Sequence, residues 1–459
     1  MASFNTLPLR ADLIANLTTL EYLEMTPIQA ASLPPILAGS DVLGQAQTGT
    51  GKTAAFGLGV LQSLNVKRFR IQALVLCPTR ELADQVASEI RRLGRGTHNV
   101  KILTLCGGVP IGPQIGSLAH GAHIIVGTPG RIEEHLRKET LSFADVHTLV
   151  LDEADRMLDM GFAPSIDNIM RHVPSKRQTL LFSATFTREI TAIANRIMRE
   201  PVTVDLGHRE EVLDIEELWY AVPDDVPRPR AVEMLLMHHR VMSALVFCAT
   251  RLETQALAEH LAAEGFVALA MHGDLDQRQR DERLIRFANG SATVMVATDV
   301  AARGLDIDAL GLVVNYHVAN DAEVHTHRIG RTGRAGESGI ACNLVTDREM
   351  NKVERLGIAP PHTIAPLPLP DAACLDGKRP TPAMATLQVD GGRKQKLRPG
   401  DILGALTVGK EITGQAVGRI HLRDNTTYIA VQRGVSQVAL SLLSEGKIKG
   451  RSFRARRIR

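Results

Sequence analysis

From residue 41 to about residue 345, short aliphatic and β-branched runs alternate with helical patterns. In the first half the runs fall at 41–45, 73–77, 102–105, 123–126, 149–151 and 179–182. Such alternation predicts a parallel sheet with helices on both faces, an α/β architecture. Ligands of these sheets sit at the carboxyl ends of the strands. Polar clusters stand at those ends: Pro78-Thr79-Arg80, Gly107-Gly108, Thr128-Pro129-Gly130-Arg131, Asp152-Glu153 and Ser183-Ala184-Thr185. The pattern then begins again. Leu74 to Arg80 (LVLCPTR) is echoed by Leu245 to Arg251 (LVFCATR), a shift of 171 residues. Each copy is a strand, then Thr-Arg, then a helical pattern, which points to two similar domains in tandem.

Two of the strand-end clusters make one site. Ala46-Gln47-Thr48-Gly49-Thr50-Gly51-Lys52-Thr53 ends in the Gly-Lys-Thr core of a phosphate loop. Its glycines allow a tight turn whose N–H groups face phosphate oxygens, Lys52 reaches the outer phosphates, and Thr53 suits Mg²⁺ at the start of a helix. Position 46 is alanine where the general pattern has glycine. About a hundred residues later, Asp152 offers a hard oxygen ligand for Mg²⁺ and Glu153 can polarise a water. Together they predict binding and hydrolysis of a nucleoside triphosphate.

The second half has no phosphate loop. It has Thr298-Asp299 to Asp306 after an apolar run, and His327-Arg328-Ile329-Gly330-Arg331-Thr332-Gly333-Arg334. Arg331 and Arg334, three apart, share a face if helical and suit a triphosphate as arginine fingers; an exposed basic helix is the bland alternative. A proline-rich stretch follows and reads as an extended linker. The last segment has the order β-α-β-β-α-β of an RNA-recognition-type sheet, with a generic ferredoxin-like module as the alternative. Such sheets stack bases on aromatics, yet only Tyr428 and Phe453 are available. Contact with RNA is therefore expected to lean on Arg393, Lys394, Lys396, Arg398, Lys447, Lys449 and Arg451.

Charge supports that expectation. The net +3 conceals 17 Lys and Arg against 6 Asp and Glu from Asp376 onward, and 36 against 44 before it. A basic block at one end points to a polyanion partner. No run of some eighteen apolar residues predicts a membrane span, and residues 1–10 lack the pattern of a signal peptide. Five scattered cysteines, none at metal-ligand spacing, read as buried thiols of a reducing cytoplasm. With no oligomerisation signal, a monomer is the default.

Ten motifs in order now support a resemblance: Thr26-Pro27-Ile28-Gln29, the phosphate loop, residues 78–83, Gly107-Gly108, 128–131, 152–155, 183–185, His272-Gly273-Asp274, 298–306 and 327–334. Over about residues 1–350 the chain resembles the DEAD-box ATP-dependent RNA helicases, and that family itself has alanine at the position of Ala46. The resemblance implies two tandem RecA-like parallel-sheet domains followed by an RRM-like β-α-β-β-α-β domain of the α+β type. The boundaries are 1–208, 209–357, a linker 358–382, and 383–459. It implies Gln29 on adenine, with Phe4 or Tyr22 stacking; Gly49, Thr50, Gly51, Lys52 and Thr53 on the phosphates; and Asp152 and Thr53 on Mg²⁺, Asp152 through its waters. Glu153 would align the attacking water, Asp306 would contact the ribose, and Arg331 and Arg334 would be the fingers. Arg80, Gly108, Thr128, Arg131, Thr298 and Asp299 would grip RNA, while Ser183 and Thr185 would couple hydrolysis to strand separation. One departure is Glu21, where the family usually has glycine before its aromatic. The basic terminal module is similar to one that directs a bacterial branch of the family to large-subunit ribosomal RNA and pre-ribosomal particles.

The expected activity is thus an RNA-stimulated ATPase that unwinds structured RNA, both ligands favouring a closed form of the tandem core. The tethered module would raise the local concentration of a chosen RNA. A DNA translocase on the same core would differ by responding equally to DNA. A non-enzymatic RNA-binding scaffold would not need Lys52, Asp152, Glu153, Arg331 and Arg334 intact.

Overall fold

The structure is a computed structural model that describes residues 3–46, 50–205, 214–302, 310–333, 338–358, 365–409 and 411–458. The chain forms two compact units, Met1–Glu211 and Val212–Arg459.

The first unit is built on seven parallel strands: β1 Val42–Gln45, β2 Ala73–Leu76, β3 Ile102–Leu105, β4 Ile124–Gly127, β5 Thr148–Leu151, β6 Gln178–Ser183 and β7 Val202–Asp205. Their order is β3-β4-β2-β5-β6-β1-β7, so chain-adjacent strands are joined by crossovers. Alternation explains the two-sided core. Ala73, Val75 and Cys77 join one buried cluster, whereas Leu74 and Leu76 face the other. The helix Arg80–Leu93 buries Leu82, Ala83, Val86, Ala87, Ile90 and Leu93 along one stripe. Thr79 caps it by accepting from the Leu82 N–H at 3.3 Å, and Arg91 and Arg92 face the negative end of its dipole. Beside β1, the helices Pro27–Leu37 and Lys52–Ser63 touch so closely that a Cβ at Gly59 would lie 2.2 Å from Ile36 Cγ2.

The second unit carries β8 Ile215–Ala221, β9 Ala244–Cys248, β10 Ala268–Met271, β11 Val294–Thr298, β12 Leu312–Asn315 and β13 Gly339–Val345, in the parallel order β10-β11-β9-β12-β13-β8. The repeated sequence has a repeated structure. β9, like β2, runs into a Thr-capped helix, here Arg251–Ala263, with Thr250 accepting from Glu253 N–H at 3.2 Å.

The described part of the proline-rich segment does not stand free. Leu367 pairs with the edge of β8, donating to Trp219 O at 2.7 Å and accepting from Ala221 N–H at 2.9 Å. A short turn of 3₁₀ helix at Ala372–Asp376 follows, and the Arg379 guanidinium lies over the Phe266 ring at 5.3 Å.

Four antiparallel strands complete the unit: β14 Met384–Val389, β15 Val417–Leu422, β16 Thr427–Gln432 and β17 Ala455–Arg457, ordered β15-β16-β14-β17. Leu387, Val389, Ile429 and Val431 face the helices Pro399–Thr407 and Ser436–Glu445. The opposite face turns to the helix Gln277–Ala288 and the loop after it. There Thr386 accepts from Asn289 Nδ2 at 2.9 Å and donates to Ser291 Oγ at 2.9 Å, while Arg423 pairs with Asp281 at 3.3 Å.

Candidate nucleotide site and RNA interface

In the first unit the adjacency of β5 to β6, and of β6 to β1, gathers three strand ends. After β1, Ala46 is buried; residues 47–49, Gly49 among them, lie outside the described residues. Gly51 has φ +91°, and a Cβ there would meet Gln29 Nε2 at 2.5 Å, so both backbone and space require glycine. The helix Lys52–Ser63 then starts. Lys52 is buried, its Nζ 3.4 Å from Ala46 O and 3.6 Å from Asp152 Oδ1.

Asp152 is fully buried; among the described residues no regular hydrogen bond reaches its carboxylate oxygens, and Lys52 pairs with Oδ1. Burial pushes its carboxyl up to about 6, against the pull of Lys52 and with the push of Glu153. A buried carboxylate beside one ammonium can take a further cation, and its hard oxygens suit Mg²⁺. Glu153 follows at φ +53° and is paired with Arg156 at 2.8 Å. Asp155 faces β6: its Oδ2 accepts from the N–H groups of Ala184 at 2.9 Å and Thr185 at 3.2 Å. Ser183 Oγ donates to Thr185 O at 2.7 Å. The acidic motif and the Ser-Ala-Thr turn are therefore one bonded assembly. Arg156 and Asp155 were missed as partners in sequence, because pairing across strand ends leaves no local pattern.

Gln29 is buried with both ends of its amide engaged. Oε1 accepts from Thr26 N–H at 2.9 Å, closing a capping box, and Nε2 donates to Gly51 O at 3.0 Å. It thus ties the helix start to the phosphate loop. Phe4 is buried edge-on to Tyr22 at 6.1 Å, and the Tyr22 hydroxyl bonds Glu89 and Arg92. Glu21 has φ +61°, the left-handed conformation glycine adopts most readily.

The RNA candidates of this unit lie at the ends of β2, β3 and β4. Arg80 opens its helix with a buried Nη1 that meets no hydrogen-bond partner among the described residues. Gly108 has φ +75°, and Thr128 precedes the helix Pro129–Arg137. Arg131 is held by Gln114 Oε1 at 3.1 Å, Val109 O at 2.8 Å and Glu134 at 3.1 Å. Gln114 also bonds His135 and Cys106 O, an organising role that no motif announced.

In the second unit, Thr298 ends β11, and Asp299 is gripped by Arg328 through Nε at 2.6 Å and Nη2 at 2.9 Å. Arg331 is buried just after the helix Ala322–Ile329. Asp306 and Arg334 lie outside the described residues.

Two basic loops meet on the terminal domain. Arg393, Lys394, Lys396 and Arg398 on one, and Lys447, Lys449 and Arg451 on the other, are all exposed. Lys449 Nζ donates to Lys396 O at 3.3 Å and lies 3.9 Å from Asp401. Tyr428 differs from the expectation of a stacking ring. It is only 3% exposed, facing Arg278 and Glu282 of the helix Gln277–Ala288. Phe453 packs into the domain's own core. This sheet face packs on the neighbouring helix around Tyr428 and Thr386, whereas the cationic loops are exposed.

Three family descriptions match this chain: DEAD/DEAH box helicase over residues 26–193, helicase conserved C-terminal domain over 228–336, and DbpA RNA binding domain over 386–457. The chain belongs to the DEAD-box ATP-dependent RNA helicases; ATP is its substrate, and it binds RNA. Among its relatives is the ATP-dependent RNA helicase DbpA of Escherichia coli K12, 50% identical over 99% of each chain. The DEAD-box helicase CshA of Geobacillus kaustophilus is 44% identical over 78% of this chain and 76% of its own. Saccharomyces cerevisiae Dbp5 bound to RNA and ADP BeF3 is similar in structure, with a TM-score of 0.72 and 31% identity over 80% of this chain and 96% of that one. The two parallel sheets are RecA-like, as the sequence implied. Among the described residues no helix is long and apolar enough to cross a membrane, and no His, Cys, Asp and Glu cluster could hold a metal unaided.

Proposed function

We propose that this helicase uses Mg²⁺-ATP to separate short duplexes of structured RNA. Its target is ribosomal RNA of the large subunit during cytoplasmic assembly of pre-ribosomal particles, and the chain acts as a monomer. The observation that supports Mg²⁺ is the buried carboxylate of Asp152 beside Lys52. Bound there, the ion would draw charge off the phosphates. Lys52 neutralises the outer phosphates, the N–H groups around Gly51 and Thr53 receive the inner ones, and Glu153 orients a water on the terminal phosphorus. As its oxygen bonds to phosphorus, the bond to the ADP oxygen breaks and the water's proton passes towards Glu153. Arg331 and Arg334 supply positive charge to the transition state, and Asp306 holds the ribose. Arg80, Thr128, Arg131, Thr298 and Asp299 hold the RNA backbone.

The choice of ribosomal RNA draws on likeness to DbpA over the full chain and on the exposed cationic loops at 393–398 and 447–451. Glu153→Gln should lower RNA-stimulated phosphate release by roughly 10²–10⁴-fold while ATP and RNA still bind. Unchanged turnover would remove Glu153 from the reaction. Crosslinking of the full chain to total cellular RNA should recover one large-subunit segment, lost when Lys396, Lys447 and Lys449 are changed to Glu. An even spread over all RNA would defeat the target.

A further inference from the structure

The second unit holds a row of polar side chains, four of which lie outside the ten motifs named above. Asn315 on β12 and Asn343 on β13 are register partners, both at most 2% exposed, and Glu217 lies on β8. Asn315 Nδ2 donates to Asn343 Oδ1 at 2.7 Å, and Asn343 Nδ2 donates to Glu217 Oε1 at 2.7 Å. The same oxygen meets His325 Nε2 at 2.8 Å. At the other end Asn315 Oδ1 accepts from Arg328 Nη1 at 3.1 Å, and Arg328 holds Asp299.

A guanidinium can only donate and a carboxylate can only accept, so both amides have one permitted orientation. Their dipoles run head to tail from cation to anion, the arrangement in which such bonds strengthen one another. His325 and Arg328 stand three apart on the helix Ala322–Ile329, so the row leaves that helix at one residue and returns at the other. The helix is thereby bolted to three strands. Arg331 follows it directly, its N–H bonded to Arg328 O at 3.2 Å. Trp219, on the same β8, stacks on His325 at 5.8 Å, and its carbonyl receives Leu367 of the tether to the RNA-binding domain.

We propose that Asn315, Asn343, Glu217 and His325 are positioning residues that fix the spacing between Asp299 and Arg331, and so couple RNA occupancy to ATP turnover. The inference rests on the reading of Asp299 as an RNA contact and Arg331 as a phosphate ligand. An unbroken row holds both groups on one rigid element; a broken row lets each settle without the other.

The test is Asn343→Leu in the full chain, compared with Glu217→Gln. Leucine removes the middle of the row, whereas glutamine keeps an oxygen for both donors and loses only the charge. Asn343→Leu should lower RNA-stimulated kcat by about tenfold and raise the RNA concentration for half-stimulation, with KM for ATP within about twofold. Glu217→Gln should recover most of the stimulation. Emission from Trp219, the chain's single tryptophan, reports whether each variant is folded. Should Asn343→Leu fail to fold, Glu217→Ala against Glu217→Gln gives the same contrast. Folded variants with wild-type RNA dependence, or a fall in kcat that does not depend on RNA, would overturn the proposal. A Glu153→Gln protein that still turned over ATP would instead defeat the underlying site.

Discussion

A sizeable ionic contribution to the second unit is expected at Glu349. Its Oε2 accepts from Thr346 N–H and Oγ1, both at 3.0 Å, and pairs with Arg228, while Oε1 lies 3.6 Å from His317 Nδ1. Burial alone would raise this carboxyl, but the bonds from His317 and Thr346 and the charge of Arg228 hold it at about 2. The drop from the ordinary 4.5 corresponds to about 3 kcal/mol of native-state preference for the anion. The side chain keeps 24% of its surface in solvent, and screening there reduces the expected contribution to about 2 kcal/mol.

Because the folded-state value is depressed, this contribution is complete above pH 4.5 and is lost as pH falls towards 2. Trp219 is 7% exposed, in a cluster with Val345 and Val353 beside the helix that carries Glu349, so its fluorescence follows this unit selectively. Glu349→Gln should shift the urea midpoint of Trp219 emission down by about 1 M at pH 7, taking a slope of about 2 kcal/mol per M. By pH 3 the difference from wild type should shrink to less than half. Equal midpoints at pH 7, or a gap that ignores pH, would refute the assignment of a buried ionic cluster. His317 should act with the opposite sign. Its bond to Glu349 raises its pKa above 6.5 against burial, with Glu253 adding to the rise, so what it contributes is present below pH 6.5 and fades as pH rises past the raised value.

Two further outcomes follow from buried hydrogen bonds. Asp155→Ala frees the N–H groups of Ala184 and Thr185, and should lower duplexes unwound per ATP hydrolysed by about tenfold, with phosphate release less affected. A constant ratio of unwinding to hydrolysis would separate that carboxylate from coupling. Thr386→Val removes the partner of Asn289 Nδ2 and of Ser291 Oγ at the junction of the terminal domain, a loss of about 1–3 kcal/mol. Faster amide exchange along β14 and in the 289–291 loop is expected; unchanged exchange would mean the domain is held mainly elsewhere.

The alternation of apolar runs and polar strand ends was enough to specify a parallel α/β sheet twice over. A short buried strand reads the same way wherever it is placed, as Ala73–Leu76 and Ala244–Cys248 do. The Gly-Lys-Thr and Asp-Glu stretches were likewise legible, because phosphate and metal chemistry demands fixed residue types at short spacing. The strand order could not be read, since pairing of β2 with β5 and of β1 with β6 joins segments far apart in the chain. The same limit hid the Asp155 contacts to 184 and 185, and the Asn315–Asn343–Glu217 row, whose members lie on three different strands. Tyr428 marks the boundary most clearly. Composition offers an aromatic on an RNA-recognition-type sheet, but only the neighbouring helix decides whether its ring faces solvent. Local patterning sets which side of a strand is apolar; what covers the other side is decided by surfaces that meet after folding.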